Sequence, residues 1–192
     1  MSTTARLTLG DYDRMIAEGY FDSGPQQHQR IELIRGELHV MSPSGPPHEN
    51  TLDILSRWSF KHTPEDRIRV RVQNSIGLPF LESAPEPDLA WVVERDYSLR
   101  RPEARDVLLA IEIADSSLSY DRGTKAPLYA EAGIADYWIV HVRSKCIEVF
   151  RTPQNGAYTE IRIYRRNDVV RPLCMPELSL RVADVFPKRG SK

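Results

Sequence analysis

The stretch LLAIEIADSSLSYDRGTKAPLYAEAGIADYWIV, residues 108–140, decides how this chain folds. It opens with an apolar run that Glu112 interrupts, continues into a helical pattern that begins near Lys125, and closes on a second apolar run. An ionised carboxylate in a buried strand costs several kcal/mol unless a cation or a hydrogen-bond network compensates it. We therefore expect a positive group beside Glu112, in the central strand of a sheet that is covered on both faces.

Outward from this stretch, the pattern predicts an α/β fold with a mixed central β-sheet, flanking helices, an N-terminal helix and a β-hairpin. The N-terminal helix has Thr8 as a candidate N-cap and ends at Gly19, and the hairpin turns at Arg35-Gly36. The helix that carries Lys125 should begin near Thr124, because Pro127 fits the first turn of a helix. The remaining predictions are a turn-rich stretch over 21–30, an amphipathic helix over 48–62, strands over 67–72, 85–93, 107–114, 135–142 and 145–151, an edge strand over 157–166 and a short closing element over 178–186.

Composition describes one ordinary globular domain, which we expect to span 1–192 with a core over about 28–186. The 192 residues are 41% apolar and carry a net charge of −1, so any nucleic-acid-binding surface must be local. Cys146 and Cys174 lack metal-ligand spacing and are interpreted as buried fillers in a reducing compartment. No signal peptide or membrane span is predicted, and we expect a soluble, cytoplasmic protein.

Two carboxylates and one lysine are placed where chemistry would need them. If the strands that start at 87 and 106 are neighbours, Asp88 and Glu112 converge, and a hard cation such as Mg²⁺ resolves their repulsion. Lys125 shares a helix face with Leu128 and Tyr129 and can reach both carboxylates. Such a site suits phosphodiester hydrolysis. Spacing alone leaves equally open an internal Glu112–Lys125 salt bridge with Asp88 as a turn residue.

The segments IELIRGELHVMSPSGPPHE, PEPDLAWVV and LLAIEIADSSLSYDRGTKAPLYAEAGIADYWIV resemble the Uma family of restriction endonucleases, a branch of the PD-(D/E)XK nuclease superfamily. The resemblance runs from about residue 30 to the C-terminal VRPLCMPELSLRVADVF. It implies a restriction endonuclease-like fold and a metal-dependent endonuclease that cleaves DNA. Ala114 stands where the superfamily motif has its lysine, and in this family that lysine appears in the following helix.

The resemblance also implies a role for each site residue. Asp88 and Glu112 are the Mg²⁺ ligands, joined by the Ile113 carbonyl, and Mn²⁺ is a possible substitute. Lys125 orients the attacking water or stabilises the transition state. Glu32 is a further carboxylate of the network, although its spacing equally fits a solvated hairpin residue.

The candidate nucleic-acid contacts are basic side chains. His48 could contact phosphate near the site, and His48-Glu49 is no zincin motif because position 52 is leucine. Arg69, Arg71 and Arg101 are the arginines we expect at the DNA, with a homodimer as a possible aid to binding. The rival interpretation is a catalytically inactive nucleic-acid-binding or protein-interaction domain on the nuclease scaffold, which Ala114 supports. Asp121 reads first as a turn residue that could also hold Lys125.

Overall fold

The computed structural model describes residues 6–22 and 29–186. The predicted turn-rich stretch therefore lies partly outside the described residues, at 23–28, as do both ends of the expected domain. The helices and strands, in chain order, are α1 (Leu9–Ala17), β1 (Ile31–Ile34), β2 (Glu37–Val40), α2 (Pro46–His62), β3 (Ile68–Val72), β4 (Leu89–Val93), β5 (Val107–Ala114), α3 (Leu118–Tyr120), α4 (Ala126–Glu131), β6 (Asp136–His141), β7 (Cys146–Gln154), β8 (Ala157–Tyr164), β9 (Val169–Val170), β10 (Leu180–Arg181) and α5 (Val182–Val185).

Six strands form a mixed central sheet in the order β3-β4-β5-β6-β7-β8. Only the β5–β6 pair is parallel; every other neighbouring pair of the sheet is antiparallel. The parallel pair exists because α3 and α4 cross over between β5 and β6, which a hairpin turn could not do. The predicted α/β class, with β5 as a central strand, is confirmed.

Apolar side chains cover both faces of the sheet, as the continuous apolar run of β5 predicts. One face packs under α4, with Leu128 and Tyr129 fully buried. The opposite face packs under α2 and α5, where the Trp58 and Trp91 rings stack at 5.4 Å between centroids. No helix among the described residues is both long and apolar enough to cross a membrane.

The β1–β2 hairpin lies outside the main sheet, and its two sides have different neighbours. Ile31 and Leu33 pack with Tyr12 of α1, which the Thr8 capping box begins. Glu32 points the other way, as the alternation predicts, but all four residues of β1 are buried and Glu32 is 0% exposed. The solvated alternative for Glu32 is therefore wrong, because both sides of the hairpin are covered.

The helical segment after β5 begins earlier than predicted. It starts at Leu118, passes through a π-helical turn at Asp121–Lys125 and ends with α4. In the π turn the Ala126 N–H donates to the carbonyl of Asp121, one residue further back than in an α-helix. Pro127 follows at once, and the wider turn accommodates a residue that has no N–H to donate. The proline therefore does not mark the helix start at Thr124.

Candidate active site

An open cleft of about 340 Å³ lies where the ends of β4 and β5 meet the hairpin, the start of α2 and the start of α3. Polar side chains from all these elements line it. Those that carry titratable or cationic groups are Arg30, His39, His48, Glu86, Asp88, Glu112, Asp115, Tyr120 and Asp121. A concave site with converging titratable groups is the usual form of a catalytic centre.

The register of β4 against β5 brings Asp88 and Glu112 side by side. Leu89 pairs with Ile111 in this antiparallel register, so Asp88, which precedes Leu89, faces Glu112, which follows Ile111. The Asp88 N–H lies 3.4 Å from Glu112 Oε2, and the Ile113 N–H donates to Asp88 Oδ2 at 2.9 Å. The prediction that these strands are neighbours is confirmed, and both carboxylates lie at one end of the pair.

Lys125 is the positive group beside Glu112. Its side chain is fully buried, and Nζ donates to Glu32 Oε1 at 2.6 Å and to Glu112 Oε1 at 3.0 Å. Tyr129, one turn further along, donates its hydroxyl to the same Glu112 oxygen at 2.9 Å. The four residues expected at the site, Glu32, Asp88, Glu112 and Lys125, thus come together. Lys125 does not line the cleft, however; its ammonium contacts Glu112, which does.

Asp121 lies in the cleft without pairing with Lys125. The nearest hydrogen bond of its carboxylate comes from Ser117 Oγ, at 2.6 Å from Oδ2, and Lys125 has its ion pairs with Glu32 and Glu112. The suggestion that Asp121 holds Lys125 is wrong, because the Lys125 ammonium binds Glu32 and Glu112 while the Asp121 carboxylate accepts from Ser117.

The cluster holds more negative than positive groups. Burial raises the pKa of Glu112 to about 8; the Lys125 ammonium opposes that rise, and Asp88 and Asp121 add to it. Burial likewise raises the pKa of Asp121 to about 6. Burial lowers the pKa of Lys125, but the Glu112 and Glu32 carboxylates outweigh it and hold that pKa above its ordinary value. A second cation would relieve the carboxylate repulsion that remains.

His48 lies at the cleft wall with one ring nitrogen on Asp88. Its Nε2 is 2.9 Å from Asp88 Oδ2, while Nδ1 is buried with no hydrogen-bond partner among the described residues. Burial would raise the pKa of Asp88, but the hydrogen bond and charge of His48 hold it below its ordinary value. Burial would lower the pKa of His48, and Asp88 more than offsets this. Asp88 is therefore ionised and partnered before any ligand binds.

The three candidate arginines differ in what they contact. Arg69 forms an ion pair with Glu94, and Arg101 pairs with Asp13 and donates to Ser75 Oγ at 2.8 Å. Arg71 has no acidic partner among the described residues, and its Nε is buried without a hydrogen bond. Burial and the charge of Arg69 hold the pKa of Arg71 below its ordinary value.

Arg71 also lies against an aromatic ring that other arginines share. Its guanidinium lies 5.8 Å from the centre of the Tyr97 ring, and Arg69 and Arg100 approach the same ring. The group of arginines around Tyr97 is therefore positively charged, and Arg71 is the member of that group that has no acidic partner among the described residues.

Sequence reasoning missed several groups that complete the site. The Glu86 N–H donates to Glu32 Oε1 at 2.6 Å, and Glu32 Oε2 is buried without a partner. The Tyr120 hydroxyl is likewise buried and unpartnered at the cleft wall. Tyr129 could have been assigned from its spacing to Lys125, but nothing in the sequence signals the orphaned atoms of Glu32 and Tyr120.

The cysteines lie elsewhere. Cys146 is buried, as predicted, whereas Cys174 lies in the loop between β9 and β10 and is exposed, so the prediction of a buried filler is wrong for Cys174. Cys146, His141 and Glu148 place one ligand atom each within 4.8 Å of one another, although their spacing gave no metal signal. Arg122 donates to both Glu148 oxygens, so the carboxylate of this trio is already engaged.

The fold and the cleft together define an α/β protein with a mixed six-stranded sheet and a carboxylate-lined cleft at one end of the β4–β5 pair. A solved structure from Anabaena variabilis ATCC 29413, titled a "putative nuclease belonging to DUF820", superposes with a TM-score of 0.70 and 16% identity, covering 94% of this chain and 97% of that one. Its similarity concerns the fold. No curated protein matches this chain.

The family model named Uma2, described as "Putative restriction endonuclease", matches residues 11–183. The chain therefore belongs to the Uma2 family, as the sequence resemblance predicted.

Proposed function

We propose that this chain is a nuclease that hydrolyses phosphodiester bonds in DNA with a divalent cation, Mg²⁺ or Mn²⁺ as its substitute. One observation carries the proposal: Asp88, Glu112 and Asp121 share an open cleft in which burial raises the pKa of two of the three carboxyls. Carboxyls whose pKa is raised by burial, gathered in one open cleft, are typical of catalytic sites. The family description supports DNA as the substrate.

The donor set fits a hard cation. Asp88 and Glu112 offer carboxylate oxygens at the cleft wall, and Ile113, whose carbonyl is the third expected ligand, lines the same cleft. Oxygen donors of this kind, completed by water, are the ligands that Mg²⁺ prefers. A cation bound there would polarise the phosphodiester and favour ionisation of a water molecule.

The surrounding residues have separate tasks in this proposal. Lys125 is a positioning residue, because its buried ammonium holds Glu112 and Glu32 and does not reach the cleft. Asp121 accepts the proton of the attacking water, since a carboxyl with a pKa of about 6 suits a base near neutral pH. The water oxygen bonds to phosphorus, the opposite P–O bond breaks, and the departing oxygen takes a proton from solvent.

Arg71 is the arginine we expect at the DNA backbone. A half-buried guanidinium that has no carboxylate partner, with a buried Nε and other arginines nearby, gains most from an anion such as phosphate. Arg69 and Arg101 already have acidic partners and contribute less. Replacing Arg71 by alanine should reduce the slope of log affinity against log salt by about 1 for duplex DNA. Replacing Arg69 by alanine is the matched control, with a smaller change.

The alternative function is a non-catalytic scaffold that binds nucleic acid or protein. Two observations favour it: Ala114 replaces the motif lysine, and Lys125 is closed into a buried network with Glu112 and Glu32. Such a protein would retain the fold and the Arg71 surface while binding no cation.

One set of samples separates the two functions. Wild type, Asp88→Asn, Glu112→Gln and Glu177→Gln are titrated with Mg²⁺ and Mn²⁺ by calorimetry and then tested for nicking of supercoiled plasmid and cleavage of RNA. Glu177→Gln is the control, because it changes an exposed glutamate outside the cleft. Cation binding and nicking by wild type and the control, lost in the other two variants, support the nuclease. Wild type without cation binding or cleavage supports the scaffold.

A further inference from the structure

β8 (Ala157–Tyr164) is the last strand of the sheet, and its outer edge is open. It pairs with β7 alone, and no backbone group on its other side has a hydrogen-bond partner among the described residues. Ile161 and Ile163 are 57% and 50% exposed on this strand. An edge strand of eight residues with exposed branched apolar side chains is a template for another strand.

The side chains of β8 restrict how a second copy of the strand could add to this edge. In an antiparallel pair, directly opposed residues point to the same side of the sheet. A two-fold axis normal to the sheet leaves every side chain on the same side of the sheet as before. Opposed residues then share a side only if the axis passes through a residue, which lies opposite its own copy. An axis that passes between two residues would place side chains from opposite sides of the sheet against each other.

Charge then selects among the registers near the middle of the strand. Centring on Glu160 places two glutamates opposite each other, and centring on Arg162 does the same with two arginines. Like charges directly opposed are destabilising. Centring on Ile161 instead places Glu160 of each copy opposite Arg162 of the other. That register also places Ile161 against its own copy and Thr159 against Ile163, and it pairs residues 158–164 of each strand.

We propose that two copies of this chain associate through antiparallel pairing of their β8 strands, with the two-fold axis at Ile161. The interface is isologous, the main-chain groups of two open edges complete each other, and the sheet becomes continuous through twelve strands. This surface lies three strands away from Glu112 and does not depend on the proposed nuclease activity.

Charge reversal tests the register. Within one chain Glu160 and Arg162 also contact each other, with Oε1 and Nε 2.9 Å apart. Glu160→Arg alone and Arg162→Glu alone therefore create like-charge pairs both within the chain and across the interface. Mixing the two single variants keeps the repulsion within each chain, yet makes every interchain Glu160–Arg162 contact complementary again.

The measurement is sedimentation velocity of the full chain over a range of concentrations up to about 100 µM, a range in which an interface of micromolar affinity would be populated. We expect a wild-type dimer, monomers for each single reversal, a dimer for their equimolar mixture and a dimer for the double reversal. Phe80→Lys, which changes a fully exposed aromatic residue outside β8, should leave the dimer intact. A monomeric wild type, a dimer that survives both single reversals, or a mixture that stays monomeric would overturn the proposal.

Discussion

Lys125 offers the sharpest test of the site, through replacement by methionine. The methionine fills the same buried space but leaves Glu32 and Glu112 without the ammonium that lies 2.6 and 3.0 Å from them. Removing one partner of a buried ion pair costs about 3–5 kcal/mol, because the remaining charge is buried and uncompensated. For a chain of this size, that loss lowers the melting temperature by roughly 6–20 °C.

The assay is thermal and urea unfolding of metal-free protein between pH 5 and pH 8. Lys61→Met on the exposed end of α2 is the control and should change the free energy of unfolding by less than about 1 kcal/mol. The cost of Lys125→Met should shrink as the pH falls, since Glu112, whose pKa burial raises to about 8, can then take up a proton. It should also shrink when Glu32→Gln is added. A loss below about 1 kcal/mol at pH 8 would refute the view that Lys125 compensates the buried carboxylates.

Three further outcomes are expected. Burial raises the pKa of Glu112 from 4.5 to about 8, so its stabilising contribution is complete below pH 4.5 and is lost as the pH rises to 8; Glu112→Gln should flatten this part of the stability–pH curve, measured by urea unfolding. Asp136→Asn should cost about 2–3 kcal/mol in the same assay, because its fully buried carboxylate accepts from Arg151 and from the Trp138 indole N–H. Thr8→Ala should cost about 1 kcal/mol through loss of the α1 capping box, and a change of zero would show that α1 needs no cap.

Local sequence patterns were enough to predict the strands of the sheet and, within the site, the pairing of Glu112 with a cation. The unbroken apolar run of β5 predicted a central strand, and the charge within it predicted a cation, which Lys125 supplies from thirteen residues away. Spacing along one helix also brought Lys125 to the face that packs inward. These inferences needed only residues that are near in sequence, because the periods of helix and strand determine the face on which each side chain lies.

Long-range packing was harder to predict. Glu32 reaches Lys125 across ninety-three residues, and only the docking of the hairpin on the sheet determines whether that carboxylate is solvated or buried. Arg69 and Arg71 lie on the same face of β3 by the alternation of the strand, yet Glu94 forms an ion pair with Arg69 alone. The predicted helix start near Thr124 was wrong because the argument from Pro127 assumed an uninterrupted α-helix, whereas the chain forms a π turn at Asp121–Lys125.

The π turn at Asp121–Lys125 holds one residue more than an α-helical turn needs. Gly123 within it is exposed and has no atom within 4 Å of the position of a Cβ. Deleting Gly123 would leave the chain length of an ordinary α-helical turn, in which the Ala126 N–H still reaches the Asp121 carbonyl. Asp121 would then keep its place in the cleft and Lys125 its place beside Glu112. The extra residue therefore belongs to the solvent side of the turn, where the loss of one codon would not separate the carboxylates of the cleft.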